Sequence, residues 1–491
     1  MMKTKRFLSL LLTLLLLAPA FAGCGEKTPP DIPAPAPDTT TAAPASGETV
    51  TTEPEPTVLD AVPALDFGGA SFRTIAQPGM MDFYTEEETG EIVNDAVFAR
   101  NRAAEERFSI VIEPTREENY NTISSIITAA VQSGSDDFDL VLGQMYKTGQ
   151  DALRGLFANW NTIPYVQLDN PWYTKNVQDA SVKDLLYMIE SDLVLSYAAQ
   201  TWMLLYNKTK AADYGMTEDL YQTVRDGAWT LDHLIELTEG AYDDLDGDGV
   251  RGPNDFFGFG STPNGCMLAA FLYACDTRLV TLDADANVTQ QLGDERSVDL
   301  LNRLAVLFAT SPGTWMKGDA KTRVDMFPRG NYLFQPMYAG DLLGLMREFS
   351  DDFGVLPLPK YDAEQKEYYT VVDGGANILS VLKTAEHRDM IGAVTEVMSA
   401  ESYRTVIPAY CDSALSMKGV RDRDSSEMMR LILDSRAIDF GYLYDGWNGW
   451  VMKLPDMITR PQTIASTFKK GSAAIQKTYE NMVEKLIAGA E

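Results

Sequence analysis

Histidine is almost absent from this 491-residue chain. It has two, His233 and His387, which is too little for a histidine-rich zinc site or a serine–histidine triad. The motifs GxxxxGK[ST], GxSxG and HExxH are missing, as is a GxGxxG that follows a strand. Carboxylates that could pair as in a glycosidase are always found in so acidic a sequence, so they carry little weight. No enzyme class is indicated by these patterns.

Cysteine is scarce as well, with four in the whole chain. Cys266, Cys275 and Cys411 form neither a CxxC pair nor the spacing of a metal site. If Gly265 to Cys275 is one helix, the first two thiols lie about 13 Å apart along it, too far for a disulfide. We therefore expect these three residues to be buried free thiols.

Basic residues are few relative to acidic ones. The chain has 41 Lys and Arg against 71 Asp and Glu, a formal net charge of −30. Such a surface repels phosphate backbones and anionic lipid, so nucleic-acid binding is disfavoured. An apolar content of 45% and an aromatic content of 10% are typical of globular proteins, and the length allows two or three domains.

The first residues have the order of an export signal: a basic start, an uncharged apolar run and then small residues. The run is shorter than the roughly 20 apolar residues of a membrane span. The segment Phe21-Ala22-Gly23-Cys24 resembles the lipobox of bacterial lipoproteins, although Phe21 stands where Leu is usual. The resemblance implies that Cys24 becomes the first mature residue and carries lipid. The alternative is a plain secretory signal with a bystander cysteine. The elements are Lys3, Lys5 and Arg6, then Phe7 to Ala18, then Pro19.

Residues 1–23 are therefore predicted to be a signal peptide. Residues 24–64 are predicted to be the lipidated cysteine and a disordered stalk, because the stretch after Cys24 is rich in Pro and Thr, lacks aromatic residues and cannot bury enough surface to fold. This places the protein outside the cytoplasm, lipid-anchored to the outer face of the bacterial cell membrane.

Strand and helix patterns alternate after Leu65, which predicts βαβ units and a parallel sheet with covered faces. In such sheets, ligands lie beyond the carboxyl ends of the strands, so Gln144, Met145 and Tyr146 are expected at the mouth of a site. The predicted elements are strand Ser71–Ala76, helix Ile92–Phe108, strand Ser109–Glu113, helix Tyr120–Val131, strand Phe138–Gly143 and helix Thr148–Phe157.

An ordered set of segments resembles the extracellular solute-binding proteins of ABC importers, in particular the sugar-binding group that includes maltose-binding protein. The first is Ser191–Asn207, interpreted as two strand-like runs that cross between lobes. The others resemble the family's Trp-Thr helix start, its Met-Phe helix end and strand, its Pro-rich strand and its Gly-Gly strand. These segments are Trp229–Asp232, Asp325–Gly340, Phe353–Pro359 and Asp373–Ser380.

The resemblance implies a type II periplasmic-binding-protein fold, an α/β architecture with two lobes joined by crossing hinge strands. We place the first lobe at residues 65–197 plus 375–440, and the second at 198–374 plus 441–491. The implied function is a monomeric cell-surface receptor, not an enzyme, that binds a small solute, a sugar or oligosaccharide, between the lobes. It would deliver this solute to the membrane subunits of an ABC importer. The alternatives are a membrane-anchored secreted glycoside hydrolase and an anchored adhesin or signalling partner.

A sugar site needs flat aromatic faces for pyranose rings, together with carboxylates and amides for hydroxyl groups. Candidates lie at strand ends, near the crossings and in a glycine-rich aromatic cluster at Gly441–Trp450. Each is as compatible with core packing as with ligand contact, but their loop positions as a set favour binding. The predicted ligand contacts are Gln144, Tyr146, Trp172, Trp202, Tyr338, Asp341, Asp373 and Trp447.

The twelve residues from Asp244 to Asp255 fit a calcium-binding loop. Carboxylates stand at positions one, three, five and twelve, a glycine at six, and the carbonyl of position seven would be a further ligand. Asp at position twelve has a shorter reach than the usual Glu, and Arg251 replaces the usual apolar residue at position eight. The alternative is an acidic solvated turn. The predicted structural Ca²⁺ ligands are Asp244, Asp246, Asp248, Val250 and Asp255.

Overall fold

The computed structural model describes residues 59–77, 83–318, 325–342, 349, 351–415 and 423–490. The chain divides into two units, Met1–Thr57 and Val58–Glu491, and only the second contains described residues. The predicted signal peptide, Cys24 and most of the predicted stalk therefore lie outside them. Near the start of the described residues, Asp60 pairs with Arg107 at 2.8 Å and Val62 is buried, and the stalk's end at residue 64 stays a prediction.

The described residues form twelve strands and a larger number of helices. The strands are β1 Ala70–Ala76, β2 Ile110–Arg116, β3 Leu140–Gln144, β4 Trp202–Asn207, β5 Tyr242–Asp243, β6 Phe256–Ser261, β7 Val280–Leu282, β8 Val288–Gln290, β9 Thr314–Met316, β10 Tyr332–Tyr338, β11 Phe353–Leu356 and β12 Asn377–Ser380. The α-helices are Ile92–Phe108, Tyr120–Ser133, Met145–Ala152, Leu195–Ala199, Lys208–Asp213, Leu220–Arg225, Leu231–Thr238, Gly265–Ala274, Glu295–Ala305, Arg388–Glu401, Ile407–Leu415, Arg423–Asp434, Phe440–Asp445, Leu454–Ile458 and Ile464–Gly489.

The first sheet has the strand order β12-β3-β1-β2. Strand β1 runs parallel to both β2 and β3, as the alternating pattern predicts, and β12 joins the edge in the antiparallel direction. Strand β3 is buried along its whole length because helices and β12 cover it. The carboxyl end of β3, at Gln144, therefore faces Asn377 at the start of β12.

The second sheet has the order β11-β4-β10-β6-β5, and β9 pairs with β6 away from this path. Strand β4 is the antiparallel partner of both β10 and β11, whereas β10 and β6 are parallel. The central strands β4 and β10 are buried on both faces, except at Tyr338, and their residues are mainly apolar. The two sheets are separate hydrogen-bonded units that residues 191–201 and 370–376 connect, and this is the two-lobe α/β architecture that the resemblance implies.

Two strands continue through a proline, Pro114 in β2 and Pro336 in β10, and at each proline a strand is paired on one side only. Strand β2 was expected to end at Pro114, but it continues to Arg116, since β2 is an edge strand and proline needs no ladder hydrogen bond there. Strand β10 runs through Pro336, which stands opposite Leu204 of β4, to Tyr338. Its pairing with β6 involves only Tyr332 and Phe334, so Pro336 lies beyond that partner.

One further prediction fails because burial on all sides hides the difference between helix and strand. Ser191–Asn207 contains one strand, β4, and the first of its two runs is the buried helix Leu195–Ala199. The helix expected at Thr148–Phe157 is Met145–Ala152, and it begins directly after β3. The aromatic cluster expected in loops begins with the helix Phe440–Asp445.

The last helix, Ile464–Gly489, contacts both the two-stranded sheet β7–β8, which is separate from the two larger sheets, and the first lobe. Gln476 donates to the carbonyl of Val288, the first residue of β8, at 2.7 Å. Near its other end, Leu486 accepts a hydrogen bond from Tyr187 at 2.8 Å. Residues 441–491, which we assigned to the second lobe, therefore also touch the first. The exact lobe boundaries remain a prediction.

The three cysteines in the described region are free, and Cys266 and Cys275 are buried. The expected helix is present as Gly265–Ala274, with both thiols on or next to it. Burial raises the pKa of the Cys275 thiol to about 12 and that of Cys411 to about 11, so both are uncharged at neutral pH. Within the described ranges, no helix combines the length and the apolar character needed to cross a membrane.

Candidate functional site

The carboxyl end of β3 meets the segment that returns to the first sheet. The Met145 amide donates to the Ala376 carbonyl at 2.8 Å, and the Tyr146 amide donates to the Gly374 carbonyl at 3.1 Å. A Cβ on Gly374 would lie 2.6 Å from the Tyr146 ring, so this position has no room for a larger side chain. The end of β3 and the returning segment, both predicted to lie at the site, therefore meet here.

Trp447 is the one exposed tryptophan of the seven in the chain, with 37% of its surface accessible. It lies on the turn that follows Phe440–Asp445, which Gly446 and Gly449 close with a 3.0 Å backbone hydrogen bond. The indole Nε1 donates to Gln144 Oε1 at 2.8 Å, and the ring meets Tyr146 edge-on at 5.0 Å. A flat apolar face is thus both open and held in place.

A second group of predicted residues lies at the paired ends of β4 and β10. Trp202 stands opposite Tyr338 in the register, and their ring centroids are 4.3 Å apart. The Tyr338 hydroxyl donates to Asp373 Oδ2 at 2.9 Å, and its amide donates to Asp341 Oδ2 at 3.2 Å. The Asp373 amide in turn donates to the Gln200 carbonyl at 3.1 Å, which ties the two crossing segments together.

The structure therefore gathers seven of the eight predicted ligand residues into two adjoining groups, joined through Asp373 and Gly374. Trp172 is the exception. Its ring is buried against Tyr173 and Tyr403, which is core packing in the first lobe. Tyr146 and Trp202 are also fully buried, so in this conformation they support the open faces of Trp447 and Tyr338 from behind.

Several residues of this region were not among the predicted contacts. Tyr442 donates to the Val372 carbonyl at 2.7 Å, and its ring lies 5.3 Å from Tyr146. Cys266 lies beside both tyrosines, and burial raises the pKa of all three groups well above their ordinary values. The floor of the site is therefore uncharged. The Gly374-Gly375 pair in the resemblance was the one sequence signal for this close packing.

The acidic loop after β5 brings three carboxylates together. Asp244, Asp246 and Asp255 each offer an oxygen within 4.8 Å of the others. The loop turns on Gly247 and Gly249, each with a φ of 71°, and Asp244 accepts both of their amides at 2.8 Å. These conformations favour glycine, as the predicted loop requires.

Asp255 is the member of this group that most favours a bound cation. The residue is fully buried, and its Oδ1 has no hydrogen-bond partner, whereas Oδ2 accepts from the Gly252 amide at 2.8 Å. An unpartnered buried carboxylate oxygen is costly, and a cation would satisfy it. Three hard oxygen donors suit Ca²⁺. Asp248 lies outside the group, with its Oδ1 accepting the Val250 amide at 2.6 Å.

The chain forms two β-sheets with flanking helices, which two crossing segments connect, and the aromatic site lies at the crossing. This arrangement defines a two-lobe solute-binding protein. A model of the bacterial extracellular solute-binding protein family matches residues 100–395, and the chain belongs to this family. The predicted resemblance, fold class and receptor function are thereby confirmed, and the location is extracytoplasmic. The family consists of substrate-binding proteins and gives no support to the glycoside hydrolase alternative. A comparison with curated proteins finds no significant match.

Solved structures with the same fold cover most of this chain. One is an ABC substrate-binding protein of Listeria monocytogenes in complex with cycloalternan, with 13% identity, a TM-score of 0.54, and coverage of 84% of this chain and 99% of that one. Another is a cyclic α-maltosyl-1,6-maltose binding protein of Arthrobacter globiformis, with 13% identity, a TM-score of 0.53, and coverage of 86% and 99%. A third is a solute-binding protein of Thermotoga lettingae bound with α-D-tagatose, with 12% identity, a TM-score of 0.52, and coverage of 84% and 100%. At these identities the likeness concerns the fold.

Proposed function

We propose that the protein is a carbohydrate receptor that hands its solute, unchanged, to the membrane subunits of an ABC importer. Trp447 carries this proposal, since an indole that is 37% exposed and anchored on Gln144 and Tyr146 is suited to stack on a pyranose ring. Asp341 and Asp373, which accept hydrogen bonds from Tyr338 in the adjoining group, are residues of the type that binds sugar hydroxyls. Solved proteins with this fold include one in complex with cycloalternan and one that binds cyclic α-maltosyl-1,6-maltose, which supports the proposal.

The proposed mechanism is a population shift between an open and a closed arrangement of the lobes. Gln144 ends strand β3 of the first sheet and Tyr146 lies in the helix that follows it, whereas Tyr338 ends strand β10 of the second sheet. A solute that contacts both groups binds the closed form more tightly and therefore favours it. No bond of the solute is made or broken in this scheme.

Calorimetric titration with mono- and oligosaccharides tests the proposal. Binding should be stoichiometric without turnover, and Trp447→Ala should weaken it by about tenfold to a hundredfold. The matched control is Tyr214→Ala. Tyr214 is 38% exposed, but it stacks on Phe256 and is not one of the residues of the candidate site. Release of shorter sugars would favour a hydrolase. A protein that no saccharide or other small solute stabilises would favour an adhesin or signalling role.

We also propose that the acidic loop holds a structural Ca²⁺ through Asp244, Asp246 and Asp255. The fit is supported by the close oxygens and the unpartnered Asp255 Oδ1. Bound calcium would stabilise the fold by RT ln(1 + [Ca²⁺]/Kd), about 2.7 kcal/mol at a hundredfold excess over Kd. Asp246→Asn should reduce the calcium-dependent rise in Tm while leaving the Tm in chelator unchanged. Terbium luminescence excited through Tyr242, whose hydroxyl lies 3.3 Å from Asp255, offers a second readout. Equal loss of Tm with and without calcium would contradict the site.

Lipid attachment at Cys24 remains a proposal from the sequence. Cells grown with labelled palmitate should incorporate label into the wild type but not into Cys24→Ser. The substituted protein should appear in the medium or periplasmic fraction, and retention of Cys24→Ser in the membrane would contradict the anchor.

A further inference from the structure

A groove of about 590 Å³ lies beside Trp447. Tyr146 and Trp447 are among its lining residues, so it shares a wall with the candidate sugar site. Its outer part is lined from the start of the helix Tyr120–Ser133, the helix Met145–Ala152 and the helix Ile464–Gly489. The volume lies in the range of small-molecule pockets, roughly 300–1,000 Å³.

The lining combines aromatic rings with amides. Trp450 and Tyr120 are half-buried and stand in the same groove as Trp447. Asn121 and Asn448 are exposed, and their amides can both donate and accept. Rings spaced by amides match a chain of sugar units, whose faces are apolar and whose edges carry hydroxyls.

The charged residues of the groove are already engaged, so they do not define a site for an ion. Asp445 is 4% exposed, and its carboxylate accepts hydrogen bonds from the Trp450 and Val451 amides and from the Tyr479 hydroxyl. The Lys147 ammonium lies 3.5 Å from Asp151. The Lys453 ammonium lies 4.0 Å from the centre of the Trp450 ring. The groove therefore favours an uncharged ligand.

The same contacts hold the lining rigid before any ligand binds. A Cβ on Gly449 would lie 2.1 Å from the Asp445 carboxylate, so the turn that carries Trp447 is closed tightly on this residue. Gln150 Nε2 donates to the Tyr444 carbonyl at 3.0 Å and fixes the opposite wall. Preorganised walls lower the entropic cost of binding.

We propose that this groove binds the outer units of an oligosaccharide whose first units occupy the site at Trp447, Tyr338 and Asp373. The substrate class is then a neutral oligosaccharide longer than a disaccharide, and Trp447 is the ring shared by both parts. This inference rests on the proposed carbohydrate-receptor function.

The experiment compares affinity along series of increasing chain length. Glucose through maltohexaose, and the corresponding β-1,4-linked cello- and xylo-oligosaccharides, are titrated into the wild type at fixed calcium. Affinity should rise by about tenfold between the disaccharide and the tetrasaccharide of the series that binds, as additional rings stack.

Thr478→Trp tests the groove without touching the shared site. Thr478 is exposed on the helix Ile464–Gly489 and faces the groove, so a bulky ring there fills it. The substitution should abolish the gain with chain length and leave disaccharide affinity unchanged. Asn448→Ala, at an exposed position, should reduce the gain in part. Lys469→Trp, an exposed position on the same helix outside the groove lining, is the matched control and should behave as the wild type.

The outcomes separate the two proposals. If sugars bind with the same affinity at every length, or if Thr478→Trp leaves the gain intact, the groove is not a subsite and the receptor function stands. If no saccharide of any length binds the wild type, the receptor proposal fails and the groove proposal fails with it.

Discussion

The contact between the helices Met145–Ala152 and Phe440–Asp445 sets the distance between the two sides of the candidate site. Gly149 lies at this contact, and a Cβ there would be 2.5 Å from the Leu443 carbonyl oxygen. Gln144 precedes the first helix and Trp447 follows the second, so a shift between the helices would strain the 2.8 Å hydrogen bond between them. Gly149→Ala is therefore expected to affect both stability and sugar binding.

The expected magnitude is the difference between two effects. Alanine in a helix interior is favoured over glycine by about 0.5–1 kcal/mol. Overpacking costs about 1–3 kcal/mol, and the upper part of this range applies here because a backbone carbonyl cannot rotate away. We expect Gly149→Ala to lower the free energy of unfolding by about 1–2 kcal/mol. Gly471→Ala is the matched control, since its Cβ would meet Trp450 at an ordinary 3.4 Å. That substitution should stabilise by about 0.5–1 kcal/mol.

Urea denaturation at fixed calcium, followed by circular dichroism, gives both values from the shift of the midpoint at constant slope. Opposite signs for the two glycine substitutions are the expected result. If Gly149→Ala is as stable as the wild type, the close approach of the helices is not a constraint, and our account of how Trp447 is positioned would be refuted.

Three further predictions concern buried polar groups. Burial raises the pKa of Glu190 well above its ordinary value. The stability that its protonated form contributes is therefore present below about pH 4.5 and is lost as the pH rises through the folded pKa. In urea titrations, Glu190→Gln should stabilise the protein at pH 7 and match the wild type near pH 4. Arg436 pairs with Asp192 at 2.9 Å, and only 12% and 3% of the two side chains are exposed. Arg436→Met leaves the Asp192 carboxylate buried without this partner, so it should lower the free energy of unfolding by about 3–5 kcal/mol. Adding Asp192→Asn to the same chain should restore most of that loss in the same assay. Tyr338→Phe removes the hydrogen bond to Asp373. It should lower the free energy of unfolding or the free energy of solute binding by about 1.5–3 kcal/mol. No change in either quantity would contradict the role of this bond.

The periodicity of apolar residues was sufficient to predict an element where one face of that element is exposed. The helix Ile92–Phe108 was predicted to the residue, because its apolar positions recur at three and four. The parallel pairing of β1, β2 and β3 followed from the alternation of strand and helix. Buried elements were less predictable: Leu195–Ala199 is apolar on every side, so no periodicity separates its helix from a strand.

For the candidate site, residue type and strand ends identified most members but not their exposure. Trp447 and Trp172 are both tryptophans next to turns or loops, yet one is open and the other is buried against Tyr403. Exposure depends on which distant segment packs on a ring, and local sequence does not contain that information. The groove at Trp450 was missed for the same reason, since its walls come from three separate helices.

Local chemistry in the sequence determined the α/β class, the acidic loop on its glycines and the motifs by which the family could be proposed. These properties depend on neighbours a few residues apart, so a linear pattern records them. The tertiary structure alone decided that Gln144 would meet Trp447, that Tyr338 would meet Asp373, and that Asp255 would be buried with a free oxygen. Each of these depends on long-range packing, in which the position of one segment is set by the summed contacts of many others.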